Sequence, residues 1–165
     1  MYFIFQKLKS CKLVYMIREI VKNDLDGLLR LYMQLHDNPM PEKTNKLLQI
    51  WDDVFRDKKH HVIVAEENGK IVSSCVCVII PNLTHSQQPY AFIENVITDE
   101  NFRKRGLATQ CLNFAKEIAL KENCYKMMLL TGSKKVHWTF TERQGITVKT
   151  KQHLFNGYSS RYLLF

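Results

Sequence analysis

Two β-branched runs, HHVIVAEE and KIVSSCVCVII, flank the pair Asn68-Gly69. No other stretch constrains the fold as strongly. Asn-Gly tolerates the positive φ angles of a two-residue hairpin turn, so an antiparallel pair is expected near the middle of the chain. Upstream, Ile17 to Val21 reads as a short strand, and Asn23 or Asp24 would cap the helix that follows. Leu25, Leu28, Leu29, Tyr32 and Leu35 recur there at helical spacing. A second amphipathic helix comes after PMPE, with Leu47, Leu48, Trp51, Val54 and Phe55 expected on its buried face. Downstream of the hairpin, PNLTHSQQP is a loop and YAFIENVIT a strand. GLATQCLNFAKEIALKEN is a helix with Leu107, Cys111, Leu112, Ala115, Ile118 and Ala119 inward. YKMMLLTG then reads as a strand, SKKVHWTFTERQG as a short helix, and ITVKTKQHLF and SSRYLLF as extended segments. The order β-α-α-β-β-β-α-β-α-β(-β) predicts a mixed α+β fold with helices on both faces of the sheet, not a doubly wound nucleotide fold.

The chain is long enough for one sizeable core, and it has no repeat or Pro/Gly/Ser linker, so one domain is expected. Met16 is a natural start for it. This makes residues 1–15 an N-terminal extension without an assigned role and 16–165 the domain. No apolar run approaches the ~18 residues of a membrane span, and the first segment lacks a cleavage-site pattern. The five cysteines are odd in number and form no CxxC pair, which favours small core hydrophobes in a reducing compartment. A cytoplasmic location is expected. The net charge of +8 favours anionic partners, but it is spread along the chain without interleaved aromatics, which argues against nucleic acid. His60 and His61 have no second ligand cluster at a suitable spacing, so no metal is expected.

The segment ITDENFRKRGLATQ crowds Arg103, Lys104 and Arg105 against Gly106 between a strand and a helix. The first N–H groups of a helix lack internal acceptors, and the helix dipole makes that end positive. Glycine lets a bulky anion approach the main chain closely. Together these features describe a phosphate or pyrophosphate site. The patterns GxxxxGK[S/T] and GxGxxG are both absent, which excludes the ordinary nucleotide and dinucleotide motifs.

Arg103, Gly106 and Ala108 meet the pattern Arg/Gln-x-x-Gly-x-Gly/Ala, and here the chain resembles the GCN5-related N-acetyltransferase (GNAT) family. The run from FIENVITD to FTERQG, about a third of the chain, is similar to that family's central segments. Within it, the resemblance is strongest to small-amine and amino-sugar acetyltransferases. The resemblance implies the acyl-CoA N-acyltransferase fold, a central mixed, mostly antiparallel sheet flanked by helices. It also implies acetyl-CoA as co-substrate. Main-chain N–H groups from Arg103, Lys104, Arg105, Gly106, Leu107, Ala108 and Thr109 would hold the diphosphate. The main chain of Val96, Ile97 and Thr98 would pair with the pantetheine arm like an added strand. His137 would lie beside the CoA tunnel, either as a cofactor contact or as an ordinary helix-surface histidine.

The implied reaction is direct attack by a small-molecule primary amine, an amino sugar among the candidates, with both substrates bound. It needs a neutral amine, a donor for the developing oxyanion and a proton for the departing thiolate. Glu94, in an apolar run beside the donor strand, is the candidate base, with desolvation expected to raise its pKa. The family's usual tyrosine acid falls on Thr141. Three alternatives therefore stay open for the acid: the threonine, Tyr158 or Tyr162 from the last strand, or water. The same departure leaves open a protein that binds acyl-CoA, or a basic interaction protein, without turnover. Tyr32, Met33, His36, Asn38 and Trp51 are possible acceptor-lining residues, although core packing explains most of them. Homodimers are common among such proteins, an analogy drawn from the fold.

Overall fold

The computed structural model describes residues 4–7, 14–35, 39–131, 149–155 and 158–164, with side chains described for 15–35 and 39–129. The hairpin organises the rest. β3 (His60–Glu67) and β4 (Lys70–Ile80) pair antiparallel through a two-residue turn, with Asn68 at φ 52° and Gly69 at φ 78°. These angles match the right-handed twist of the flanking strands, which is why this dipeptide closes the hairpin. Around the pair stand β1 (Ile4–Lys7), β2 (Val14–Glu19), β5 (Tyr90–Thr98), β6 (Met127–Thr131), β7 (Lys149–Phe155) and β8 (Tyr158–Leu164). The described strands form an eight-stranded sheet in the order β1-β2-β3-β4-β5-β6-β8-β7. Every pairing is antiparallel except β5 with β6. That parallel pair requires a crossover, supplied by α3 (Leu107–Lys121).

Helix α3 covers one face. Cys111, Ala115 and Ala119 are small enough to bring it close to Ile63, Cys75, Cys77 and Ile93. Helices α1 (Leu25–Tyr32) and α2 (Asn45–Arg56) lie on the other face, where Leu28 and Leu31 pack on Val64, Ile71, Val76 and Ile97. Gly27 permits close contact there, because a Cβ at that position would meet Ile71 Cδ1 at 3.1 Å. Cys75, Cys77 and Cys111 are fully buried free thiols. Among the described residues, no helix is long and apolar enough to cross a membrane.

Several local expectations need correction. The first predicted strand lies earlier than Ile17–Val21, because a 3₁₀ turn over Lys22–Asp24 leads into α1. Asp24 does precede α1, but its carboxylate does not cap the helix. It accepts from the Val21 N–H at 2.6 Å and pairs with the buried Arg18 at 2.5 Å, and Arg18 also bonds Glu66 at 2.6 Å. This ion cluster ties the start of α1 to the sheet. Helix α2 is less covered than its periodicity suggests, since Leu48 and Phe55 are exposed and none of its residues is fully buried. β1 was not foreseen. It pairs with β2, which begins two residues before the expected division at residue 16, and Tyr15 is buried in the core.

Candidate active site

The turn after β5 places a free helix start beside a strand that has lost one partner. Lys104 at φ 63° and Gly106 at φ 77° take left-handed conformations, and α3 begins at Leu107. No side chain caps that end, and the first intrahelical bond runs from Gln110 N to Gly106 O at 3.1 Å. The N–H groups of Leu107, Ala108 and Thr109 therefore lack helical acceptors. The space beside Gly106 is open among the described residues, none of which places an atom within 4 Å of where a Cβ would stand. The three cations divide their work. Arg103 Nε donates to the Thr98 carbonyl at 3.2 Å. Arg105 pairs with the buried Glu67 at 3.2 Å and stacks 4.7 Å from the centre of the Phe102 ring. Lys104 has no side-chain partner among the described residues. Two of the charges thus brace the loop and one faces outward.

β5 and β6 separate halfway along. Their pairing covers Ala91 with Met127, Phe92 with Met128 and Ile93 with Leu129, whereas β5 continues to Thr98. On the β4 side, Ser74 pairs with Ile97 and Val76 with Glu94, so Asn95 and Val96 both oppose Cys75. This is a β-bulge, with Asn95 at φ 49°. The bulge redirects β5 away from β6. The Ile97 carbonyl accepts from the Ser73 hydroxyl at 2.8 Å, and the Asp99 N–H donates to Val72 O at 2.9 Å, both toward β4. By alternation, the main chains of Val96 and Thr98 face the side that β6 has left. The Thr98 carbonyl is engaged there by Arg103.

A cavity of about 220 Å³ opens between α1, α2 and the sheet and reaches the bulge at Asn95. Tyr32, Trp51 and His60 also line it. The Tyr32 and Ser74 hydroxyls are buried, and among the described residues neither makes a hydrogen bond of good geometry. Burial pushes the Tyr32 phenol up to about 12, with loose hydrogen bonding from the Ser74 and Asn95 side chains partly opposing it. Hence Tyr32 stays neutral and can donate. Glu94 lies on the same face, paired with Val76, but it is exposed. Its exposure differs from the apolar enclosure that the sequence suggested. His60 is held below its usual value by burial, against the opposing charges of Asp57 and Glu94. Of the other acceptor-side candidates, Met33 is exposed, and His36 and Asn38 lie outside the described residues.

Thr141 and His137 also lie outside the described residues. Tyr162 is a β8 residue in register with Leu130 of β6, and Tyr158 begins β8. The sequence reading passed over Ser74 and Asn95 and weighed His60 only as a metal ligand. Two of these carried a visible signal, a serine and an asparagine interrupting apolar strands.

An open helix start beside a splayed strand is the arrangement by which an acyl-CoA transferase fold is read. A family model described as the acetyltransferase (GNAT) family matches residues 25–145, and the chain belongs to that family. Its relatives are then specific. The fold is similar to a provisionally assigned acetyltransferase of Agrobacterium tumefaciens str. C58, with a TM-score of 0.76 and 36% identity over 85% of this chain and 98% of that one. A glucosamine 6-phosphate N-acetyltransferase of Trypanosoma brucei brucei is 29% identical over 82% of this chain and 91% of its own length. An uncharacterized N-acetyltransferase of Methanocaldococcus jannaschii is 31% identical over 65% of this chain, and the match spans 49% of that relative's length.

Proposed function

We propose that the protein moves an acetyl group from acetyl-CoA to the primary amine of a small molecule, by direct attack with both substrates bound. The observation that carries this reading is the uncapped start of α3 at Gly106, open beside the unpaired half of β5. Free N–H groups at a positive helix end suit a diphosphate. Lys104 adds a charge there, and the exposed main-chain edge at Val96 suits an amide-bearing arm. Acetyl-CoA supplies the activated acyl carbon. Glu94 accepts the amine proton, directly or through water, from the rim of the acceptor cavity. Tyr32, neutral and without a well-formed hydrogen bond among the described residues, would orient the polar end of the acceptor.

A covalent cysteine route is disfavoured. Cys77 and Cys111 have thiols pushed up to about 12 by burial, and burial pushes Cys75 further in the same direction. A thiolate nucleophile is scarce under those conditions. Calorimetry with acetyl-CoA tests the proposal, with saturable binding below millimolar concentration expected. Absence of binding by folded protein would remove the basis for the assignment. Steady thiol release with a panel of amines then separates turnover from binding alone.

A further inference from the structure

We infer that the acceptor is a small primary amine on an uncharged, apolar body, a single ring or a short alkyl chain, and not a phosphorylated amino sugar. This rests on the acetyl-transfer reading above and concerns the cavity that ends at the Asn95 bulge. Its walls are Leu28, Leu47, Trp51, Val54, Val62 and Val76. No lysine or arginine lines it among the described residues. Trp51 has already spent its N–H on the Lys22 carbonyl at 3.2 Å, so it offers the cavity only a ring. A phosphate dianion placed there would lose its water and gain no cation, a costly transfer. The larger neighbouring cleft, about 630 Å³, does contain Arg30 and Lys70. It is also lined by Asp24, Asp26 and Asp99, and Lys70 is paired with Asp99 at 2.7 Å. Asp24 is paired with Arg18 and Asp26 with Lys43, so Arg30 is the one lining cation without an ion-pair partner among the described residues, a single charge against a dianion.

The polar atoms of the apolar cavity are gathered where they serve an amine. Tyr32, His60 and Asn95 belong to its lining, and Tyr32 lies within loose hydrogen-bonding reach of Ser74 and of Asn95 at the bulge where β5 turns away from β6. Buried hydroxyls without a well-formed hydrogen bond are uncommon, and a ligand amine at this point would complete them. His60 and the carboxylate of Glu94 add an acceptor and a negative charge on the same face. Glu94 attracts an ammonium to the rim, while the apolar walls favour the neutral amine that must attack. At about 220 Å³ the cavity is below the ~300 Å³ at which drug-sized sites begin. The body it accepts is correspondingly small.

The test compares phenethylamine, benzylamine and a series of n-alkylamines with glucosamine and glucosamine 6-phosphate, using full-length protein and saturating acetyl-CoA. For the alkyl series, kcat/KM should rise roughly 3- to 4-fold per added methylene until the cavity is full. Phenethylamine should exceed glucosamine 6-phosphate by at least about tenfold, the worth of two or more such groups. Val54→Arg, on the loosely covered α2, should reverse that order by placing a cation in the wall. Val54→Ala, a milder change to the same wall, should weaken phenethylamine a few-fold, with thermal melting confirming that the variant is folded. A preference of the parent protein for glucosamine 6-phosphate overturns the inference. Calorimetry of phenethylamine against the protein alone keeps the two readings apart. Phenethylamine binding without acetyl-CoA binding would refute the cofactor cradle and uphold this cavity; the converse would refute the cavity.

Discussion

Replacing Gly106 with alanine separates a cost to the fold from a cost to binding. Gly106 adopts φ 77°, where a residue with a Cβ is disfavoured by about 1–2 kcal/mol. The added methyl meets nothing within 4 Å, so no packing clash adds to this. Reduced freedom of the unfolded chain returns about 0.4–1 kcal/mol, leaving a net destabilisation near 1 kcal/mol. For a chain of this length that corresponds to roughly 2–4 °C in Tm. The effect on acetyl-CoA should be larger. The methyl would stand in the open space that a diphosphate must enter to reach the N–H groups of Leu107 and Ala108. Each hydrogen bond to a charged group contributes about 1.5–3 kcal/mol, so losing one weakens binding by about ten- to a hundredfold. Thermal melting and calorimetry on the same preparation read both effects. A variant with the small Tm loss but parental affinity would show that the diphosphate does not sit at this helix start.

Other perturbations test the supports of the site. Arg18→Met should destabilise by about 3–5 kcal/mol in urea unfolding, because the buried Asp24 and the partly buried Glu66 lose their shared cation. Lys104→Ala should weaken acetyl-CoA binding a few-fold with a salt-dependent loss, as expected of an exposed charge worth about 0.2–1 kcal/mol. Arg105→Ala should instead lower Tm, since Arg105 covers the buried Glu67 and the Phe102 ring. His60 has a folded pKa below its unfolded value, so the unfolded chain takes up the proton first. Stability should then fall as pH drops through about 6.5 and level off below the folded value, and His60→Leu should flatten that segment of a pH–stability curve.

The hairpin, the amphipathic helices and the basic turn at Gly106 were legible because each is set by local chemistry: an Asn-Gly turn, apolar spacing, and glycine at a helix start. The local signals misled where distant charges decide. Asp24 reads as a cap, but Arg18 and the Val21 N–H claim its carboxylate. Glu94 reads as a desolvated carboxylate in an apolar run, but the bulge beside it leaves it exposed. Tyr32 belongs to a helical stripe and looks like ordinary core until the sheet is assembled. Only then is its hydroxyl seen buried, with Ser74 and Asn95 as its loose polar neighbours.

Sequence alone determined the order of elements from β2 to β6 and the glycine-led start of α3, since both follow from residues within a few positions of each other. Tertiary structure decided which cations are free and where β5 leaves β6. It also decided what lines the cavity against which an amine would be held. Those outcomes depend on residues tens of positions apart meeting across the sheet, as with Arg105 and Glu67, or Tyr32 and Asn95. No periodicity within a segment encodes such meetings. They are settled by the register of the strands and by the one extra residue that the bulge inserts.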